Sequence, residues 1–237
     1  MIRIGTAGWQ LRKSHATDFP APGSHLERYA KRFNAVEINS SFHRPHRRAT
    51  YERWTASVPV DFAFAVKAPR EITHDLRLAR AGAALDGFLS QAAGFGGKLS
   101  VLLFQLPPSL AFDARTAATF FKVLRKRHAG DVACEPRHPT WFTLRAEELL
   151  ARHRIACVAA DPAVVPSAAA PGGWQGVRYF RLHGSPRIYY SNYEPEQIAR
   201  YAAILNHAES PAWCIFDNTV LSAATANALA LREAIAR

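Results

Sequence analysis

The stretch FAFAVK, residues 62–67, decides the fold through the alternation of its side chains. Successive side chains of a β-strand point to opposite faces, so residues two apart share a face. The stretch divides into a bulky set, Phe62, Phe64 and Val66, and a small set that ends in a charge, Ala63, Ala65 and Lys67. The bulky face suits packing against helices, which places Lys67 on a narrow inward face at the end of a strand.

Other apolar runs also end in polar residues. These residues are Glu37 and Asn39, Gln105, Glu135, Asp161, Arg181 with His183, and Asp217. Counting alternate positions places Glu37 opposite Val36, and places Glu135 on the same face as Arg137. Several charges therefore converge on one closed space, and the pattern predicts a barrel that presents one polar ring.

Strands alternate with helices along the whole chain. We predict strands at 2–6, 35–39, 62–67, 99–105, 131–135, 155–160, 177–183 and 212–217, and helices at 24–33, 47–57, 78–93, 114–127, 143–153, 194–206 and 222–236. Eight such strands favour a parallel α/β structure, a (β/α)8 TIM-type barrel that forms a single domain over residues 1–237. An open doubly wound sheet is the alternative, but no GxGxxG or Walker loop follows the first strand.

The stretch 162–176, PAVVPSAAAPGGWQG, is too rich in Pro, Ala and Gly to predict as a helix. We expect it to form a loop over the barrel mouth. A loop of this length is either functional or a surface connection.

Composition points to a cytoplasmic protein. No apolar run approaches the roughly 18 residues of a membrane span, and the opening MIRIGTAGW lacks the order of a signal peptide. Cys134, Cys157 and Cys214 lie far apart in apolar runs without CxxC spacing, so we expect reduced core residues and no membrane association.

The net charge of +11 is compatible with a nucleic-acid partner, because clustered basic residues attract phosphates. Most of the basic residues are Arg, however, and they are spread along the chain rather than clustered. Nucleic-acid binding is therefore possible but not favoured.

Seven segments, in order along nearly the whole chain, resemble the domain-of-unknown-function 72 family, the YecE-like proteins. They are IGTAGW (4–9), YAKRFNAVEINSSFHRP (29–45), FAFAVKAP (62–69), LLFQLPP (102–108), CEPRHPTW (134–141), RYFRLHG (178–184) and CIFDN (214–218). The resemblance implies a TIM-type barrel, and it implies no particular reaction. Two positions depart from the family pattern, His43 where the family usually has Tyr and Asp217 where it more often has Asn.

Catalytic groups of TIM barrels lie at the carboxyl ends of the strands, where the polar ring is predicted. Glu37 and Glu135 can serve as an acid and base pair, with a neighbouring cation keeping one of them ionised. The alternative is that both glutamates belong to buried ion pairs that hold the barrel together. Lys67 can bind an anion, donate a proton or form a Schiff base, but we expect a salt bridge to Glu37 rather than imine chemistry.

The remaining candidates would bind or orient the substrate. Arg181 and Arg137 offer planar donors for an anion, and His183 can transfer protons near neutral pH, either as a catalytic group or as an ordinary hydrogen-bonded core residue. The candidate substrate-binding residues are Trp9, Asn39, His43, Arg44, Gln105, Arg137, Asp161, Arg181, Tyr190, Asp217 and Asn218.

We expect neither a metal nor another cofactor. Carboxylates and His183 are suitable ligand types, but the chain has no HxH or HExxH spacing, and His43 and His46 lie in an Arg-rich turn that repels cations. The favoured function is an enzyme that uses metal-independent acid–base chemistry on a small anionic or polyol substrate. A nucleic-acid-binding protein and a ligand sensor without turnover are the alternatives, and the oligomeric state stays open.

Overall fold

A computed structural model describes residues 1–235, and it contains a ring of eight parallel strand positions. The strands are β1 Ile2–Thr6, β2 Ala35–Ile38, β3 Ala63–Lys67, β4 Leu99–Gln105, β5 Asp131–Glu135, β6 Ala156–Cys157, β7 Ala159–Asp161, β8 Gly172–Gly173, β9 Arg178–Leu182 and β10 Ala212–Phe216. The short strands β6 and β7 together fill one position of the ring, because only Val158 separates them. Strand β8 is an addition outside the parallel ring.

Two hydrogen-bonded sheets make up the ring, and they meet at Val158, between β6 and β7, and where β1 lies beside β2. One sheet has the order β1-β10-β9-β7 and the other β2-β3-β4-β5-β6-β8. At the junction of β1 and β2, the Tyr29 hydroxyl accepts from the Thr6 amide at 2.8 Å and donates to the Ala35 carbonyl at 3.0 Å. The Gly8 amide then donates to the Glu37 carbonyl at 2.8 Å. The predicted barrel is confirmed.

Backbone proximity at this junction requires a glycine. A side chain at Gly5 of β1 would collide with the carbonyl oxygen of Ala35 in β2. Gly5 therefore lets the first two strands approach each other closely.

The inner and outer faces of the strands carry the side chains that alternation predicts. The inner layer is a separate apolar cluster that includes Ala35, Ala63, Ala65, Val101, Leu103, Ala133, Tyr179 and Ile215. The larger outer layer includes Phe62, Phe64, Val66, Phe104 and Phe180, which pack with residues of the surrounding helices. The narrow inward face predicted for the strand that ends at Lys67 is confirmed.

Helices surround the strands, and side-chain caps set several of their first turns. They are α1 His25–Ala30, α2 Ser40–His43, α3 Arg48–Ala56, α4 Gly82–Ala92, α5 Ala114–Arg125, α6 Leu144–Arg152, α7 Pro195–Asn206 and α8 Ala223–Ile235. Asp113 accepts from the Thr116 amide at 2.7 Å, and Thr143 accepts from the Ala146 amide at 3.4 Å. Such caps satisfy amides that have no partner within the helix. The short helix α2 follows β2 directly and was not predicted.

The prediction that residues 162–176 cover the barrel mouth is wrong. This segment contains a 3-10 turn, Pro166–Ala169, and then strand β8. Strand β8 pairs antiparallel with β6, placing Gly173 opposite Ala156. The barrel mouth is formed by the carboxyl ends of the strands. Ala156 begins β6, and the chain continues from it through β7 to Asp161, so Ala156 lies far from the mouth. The segment thus returns along the barrel wall, where its glycines allow the approach of Gly173 to the Ile155 carbonyl.

The three cysteines are free and buried, as predicted. Within residues 1–235, no helix combines the length and the apolar character needed to cross a bilayer. A cytoplasmic location stays a prediction.

Candidate functional site

Arg181 lies at the centre of the polar ring, inside the barrel and wholly shielded from solvent. Its guanidinium binds Glu37 through two hydrogen bonds, of 2.6 and 3.0 Å. It also donates to Glu135 at 2.5 Å and to Asp217 at 3.0 Å. One arginine from β9 therefore joins carboxylates from β2, β5 and the end of β10, and the Tyr179 hydroxyl adds a bond to Glu37 at 2.9 Å.

His183 follows Arg181 by two residues and contacts two carboxylates of the same polar ring. Its Nδ1 atom is 3.0 Å from Asp217 Oδ2, and its Nε2 atom is 2.8 Å from Glu135 Oε1. Arg137 Nη2 approaches the same two groups, at 2.6 Å from Glu135 Oε1 and 2.7 Å from His183 Nε2. The imidazole therefore connects the buried Glu135 to Asp217, whose side chain is 10% exposed.

Two hydrogen-bonding patterns are open to this imidazole. A doubly protonated ring donates from Nδ1 to Asp217 and from Nε2 to Glu135. A neutral ring keeps its proton on Nδ1, donates to Asp217, and accepts at Nε2 from Arg137. Arg137 and Glu135 therefore compete for Nε2, because one is a hydrogen-bond donor at 2.7 Å and the other an acceptor at 2.8 Å.

The cations of the ring favour the ionised forms of Glu135 and Asp217. Burial acts against the charge of Glu135, but Arg181, Arg137 and His183 outweigh it and hold the pKa of Glu135 well below its ordinary value. Burial likewise opposes the charge of Asp217, and Arg181 with His183 lowers the Asp217 pKa. The three carboxylates outweigh the burial of Arg181 and raise its pKa well above the ordinary value. The central arginine is a permanent cation.

Lys67 occupies the end of β3, and its side chain points inward as predicted. The salt bridge to Glu37 is wrong, however: among the described residues, no carboxylate oxygen lies within 4 Å of Lys67 Nζ, and Glu37 is held by Arg181 and Tyr179. The Nζ atom lies instead 4.2 Å from the centroid of the Phe42 ring. Burial, with the Arg181 charge, lowers the pKa of Lys67 to about 8.

The rim of the ring carries unpaired polar atoms. Asn39 donates to Asp217 Oδ1 at 3.4 Å, while its own Oδ1 is buried without a hydrogen bond, as is Arg137 Nε. Gln105 is half-buried on β4, in register with Glu135. Beside Asn39, a groove of about 620 Å³ runs between the loops after β1, β2 and β10, and Trp9 lines it.

Five predicted substrate-binding residues lie outside the ring. Asp161 shares a face with Ala159, which packs in the outer layer, so its placement in the polar ring is wrong. Asn218 is buried and donates to Ser191 and Asn227, each at 2.9 Å, which anchors a loop. The other three are His43 and Arg44, both exposed at the end of α2, and Tyr190, whose ring lies 3.9 Å from the Arg187 guanidinium.

Two aromatic residues at the site, Tyr189 and Phe42, are not among the candidate residues chosen from the sequence. Tyr189 lies edge-on to the His183 ring at 5.8 Å, and its amide donates to the His183 carbonyl at 2.5 Å. Its backbone has a φ of 71°, in the left-handed region that a tyrosine rarely adopts. With this backbone conformation, Tyr189 rather than Tyr190 contacts the imidazole of His183. Two adjacent tyrosines in a sequence do not indicate which of them adopts it. Phe42 reaches Lys67 from the unpredicted helix α2.

Among residues 1–235, no group of three or more His, Cys, Asp or Glu side chains is arranged to hold a metal ion. The guanidinium of Arg181 occupies the point where the three carboxylates converge, which is the position a cation would take.

Comparison with known families gives this arrangement a context. Residues 3–237 match the model of the family described as "Protein of unknown function DUF72". The chain belongs to this family. The resemblance of the seven sequence segments is confirmed.

Two named relatives align with part of the chain. The chain is 29% identical over 151 residues to the UPF0759 protein YunF of Bacillus subtilis, an alignment that covers 60% of this chain and 53% of the relative. It is 28% identical over 149 residues to the UPF0759 protein YecE of Escherichia coli, with 62% and 53% covered. The match thus spans about half the length of these relatives.

Solved DUF72 structures share the fold over the full chain. A family protein from Enterococcus faecalis superposes with a TM-score of 0.83 at 19% identity, covering 100% of this chain and 96% of the other. One from Thermotoga maritima gives a TM-score of 0.82 at 22% identity, covering 100% of both chains. At such identities the likeness concerns the fold alone.

Proposed function

We propose that this protein is an enzyme that performs metal-independent acid–base chemistry on a small anionic or polyol substrate at the carboxyl ends of the barrel strands. The observation that carries the proposal is the position of His183, which contacts Glu135 at 2.8 Å and Asp217 at 3.0 Å. An imidazole between two carboxylates can pass a proton from one to the other.

Substrate would meet this relay at its outer members. Asp217 and Arg137 are each close to 10% exposed in their side chains, whereas Glu135 and His183 are almost fully enclosed. Asp217 is thus the group that exchanges a proton with the substrate. His183 passes protons between Asp217 and the more deeply buried Glu135. Arg137 and Lys67 supply positive charge for an anion, and Asn39 Oδ1 can accept from a hydroxyl group.

Glu37 and Arg181 act by positioning. Both oxygens of Glu37 are bound by Arg181 or Tyr179, and Arg181 is wholly buried between three carboxylates. Neither has a free group that faces solvent. Their part in the proposed chemistry is to hold Glu135 and Asp217 at fixed separation from His183, since small displacements of catalytic groups are costly.

The test begins with a screen for ligands. Purified protein is heated with sugar phosphates, carboxylates, polyols, nucleotides and oligonucleotides, and a ligand at 100 times its dissociation constant adds about 2.7 kcal/mol of stability. Every stabilising compound is then incubated with the protein and followed by proton NMR. We expect a small anion or polyol to be both bound and converted.

The Glu135→Gln variant decides whether conversion uses the relay. The change keeps the shape of the side chain and removes its charge, so we expect turnover to be abolished while the far-ultraviolet circular dichroism is kept. Glu52→Gln, on the exposed face of α3, is the matched control and should leave turnover intact. Equal turnover in Glu135→Gln and wild type would refute the proposal, and tight binding without conversion would favour the sensor.

Nucleic-acid binding is the second candidate, and one feature of the mouth supports it. Arg44 and Arg47 are exposed in the turn after α2, Arg48 is exposed at the start of α3, and Arg187 stacks on Tyr190 at 3.9 Å in the loop after β9. Basic and aromatic side chains together suit single-stranded nucleic acid. This candidate predicts oligonucleotide affinity that falls steeply with salt and that is unchanged in Glu135→Gln.

A further inference from the structure

Lys67 differs from the other cations of the site in having no carboxylate partner. Arg181 and Arg137 each bind Glu135 directly, at 2.5 and 2.6 Å. The Lys67 ammonium contacts the face of Phe42, which itself lies against His74 with ring centroids 4.9 Å apart. The amine is therefore held at the strand end by an apolar wall rather than by an ion pair.

The backbone beneath this side chain is also fixed. Ser41 in α2 donates to the Lys67 carbonyl at 2.7 Å and is itself buried. Helix α2 thus supplies both the aromatic contact and an anchor for the end of β3. Lys67 is 9% exposed, so its amine is shielded but reachable from the mouth.

These features suit a nucleophilic amine. An amine attacks a carbonyl only when deprotonated, and burial beside the cationic Arg181 favours the deprotonated form of Lys67 more than the three carboxylates of the ring oppose it. With the Lys67 pKa lowered to about 8, about half of the side chain is free amine at pH 8. An ordinary exposed lysine is almost entirely protonated at that pH.

We propose that Lys67 forms an imine with the carbonyl carbon of an aldehyde or ketone substrate that carries an anionic group. This inference rests on the proposed function, and it names the substrate class of that same site. The anionic group is assigned from Arg137, whose buried Nε has no hydrogen bond within the protein. The carbonyl group is assigned because the Lys67 amine has no ion-pair partner and can react with a carbonyl carbon.

The covalent step balances without an external oxidant or reductant. The Nζ lone pair forms a bond to the carbonyl carbon, and the carbonyl oxygen takes up a proton to give a carbinolamine. The carbon–oxygen bond then breaks and water leaves, carrying away the oxygen and two hydrogens in total from the amine. Glu37, Glu135 and Asp217 stabilise the iminium cation that protonation of the imine produces, and Asp217, the least buried of the three, is the acid and base for the dehydration.

Reductive trapping tests the proposal on the full chain. The protein is incubated at pH 8 with glycolaldehyde or with pyruvate in the presence of cyanoborohydride, which reduces an imine to a stable secondary amine. Modified peptides are then quantified by mass spectrometry. Lys122 and Lys126, both exposed on or just after α5, serve as internal controls for ordinary lysine reactivity.

We expect Lys67 to be labelled at least about tenfold faster than either control lysine, because about half of its amine is unprotonated at pH 8. We expect pyruvate to favour Lys67 over the controls more strongly than glycolaldehyde does, since only pyruvate offers an anion to Arg137. Labelling of Lys67 no faster than Lys122 with both reagents would overturn the proposal. The Lys67→Arg variant, checked for folding by circular dichroism, should lose this adduct alone.

The Glu135→Gln variant separates this inference from the proposed function. Turnover that depends on Glu135 without preferential Lys67 labelling would reject the imine and leave the acid–base proposal standing. Preferential Lys67 labelling, together with equal turnover in Glu135→Gln and wild type, would reject the proton relay.

Discussion

The Nζ atom of Lys67 lies 4.2 Å from the centroid of the Phe42 ring, and this contact stands where an ion pair with Glu37 was expected. An aromatic face attracts a cation far more weakly than a carboxylate does, so the charged form of Lys67 is poorly compensated. The fold therefore keeps a lysine at a position that disfavours its charge. Such positions are typical of functional groups, which often cost stability.

Replacing Lys67 by Met should therefore stabilise the protein. The unfolded lysine has its ordinary pKa of 10.5 and the folded one a pKa of about 8. Between these values the unfolded state binds more protons, so wild-type stability rises with pH in that window. We expect Lys67→Met to unfold with a free energy about 1 to 3 kcal/mol higher at pH 7. Urea unfolding at pH 7 and pH 10.5 would measure the gap, which should narrow at the higher pH.

Removing Arg181 should be severely destabilising. The Arg181→Met variant leaves Glu37, Glu135 and Asp217 close together in the barrel without the cation between them. Breaking a buried ion pair by removing one partner costs about 3–5 kcal/mol, and urea unfolding at pH 7 would measure it. Arg48→Met removes one member of an exposed pair with Glu52 and should cost less than about 1 kcal/mol. Similar losses in the two variants would contradict the assigned role.

Stability should decline in acid because of Glu135. Its folded pKa lies well below the ordinary 4.5 of the unfolded chain. The stabilisation is therefore complete above the unfolded pKa and is lost as pH falls from there toward the folded pKa. We expect the free energy of unfolding, measured by urea at steps from pH 6 to pH 3, to fall below about pH 4.5. Glu135→Gln should show a shallower decline, and an equally steep one would place the acid sensitivity elsewhere.

Removing the Tyr189 side chain should expose His183. In the folded protein His183 is fully shielded and Tyr189 lies edge-on to it at 5.8 Å. We expect Tyr189→Ala to raise the rate of His183 modification by diethylpyrocarbonate about tenfold, because access no longer requires local opening. Peptide mass spectrometry would read the rate, with exposed His207 as the control that stays constant. Unchanged protection of His183 would show that Tyr189 does not cover it.

The barrel was predictable because strand alternation is a local property. The bulky and small faces of residues 62–67 are legible in the sequence, and the inner and outer apolar layers follow them. Residues 162–176 were not predictable in the same way. Their course along β6 depends on Gly173 approaching the Ile155 carbonyl, a contact made in three dimensions.

The candidate site was predictable in its members more than in its pairings. The alternation of side chains along the strands predicted that Glu37, Glu135, Arg181 and His183 point into one space, as the structure shows. This alternation does not determine which cation binds which carboxylate. Arg181 binds Glu37 with two parallel bonds, a geometry that lysine lacks, and so Lys67 was displaced from its expected partner.

The pairing of β1 with β10 affects how the chain folds while it is being synthesised. Ile2 lies opposite Ala212, so this edge of β1 stays unpaired until β10 has been synthesised. Until then, an unfinished chain presents that edge to other nascent chains. Contacts between such distant positions also slow folding. The lifetime of the unclosed intermediate, rather than the strength of the finished barrel, would then govern how much protein a cell recovers when synthesis is fast.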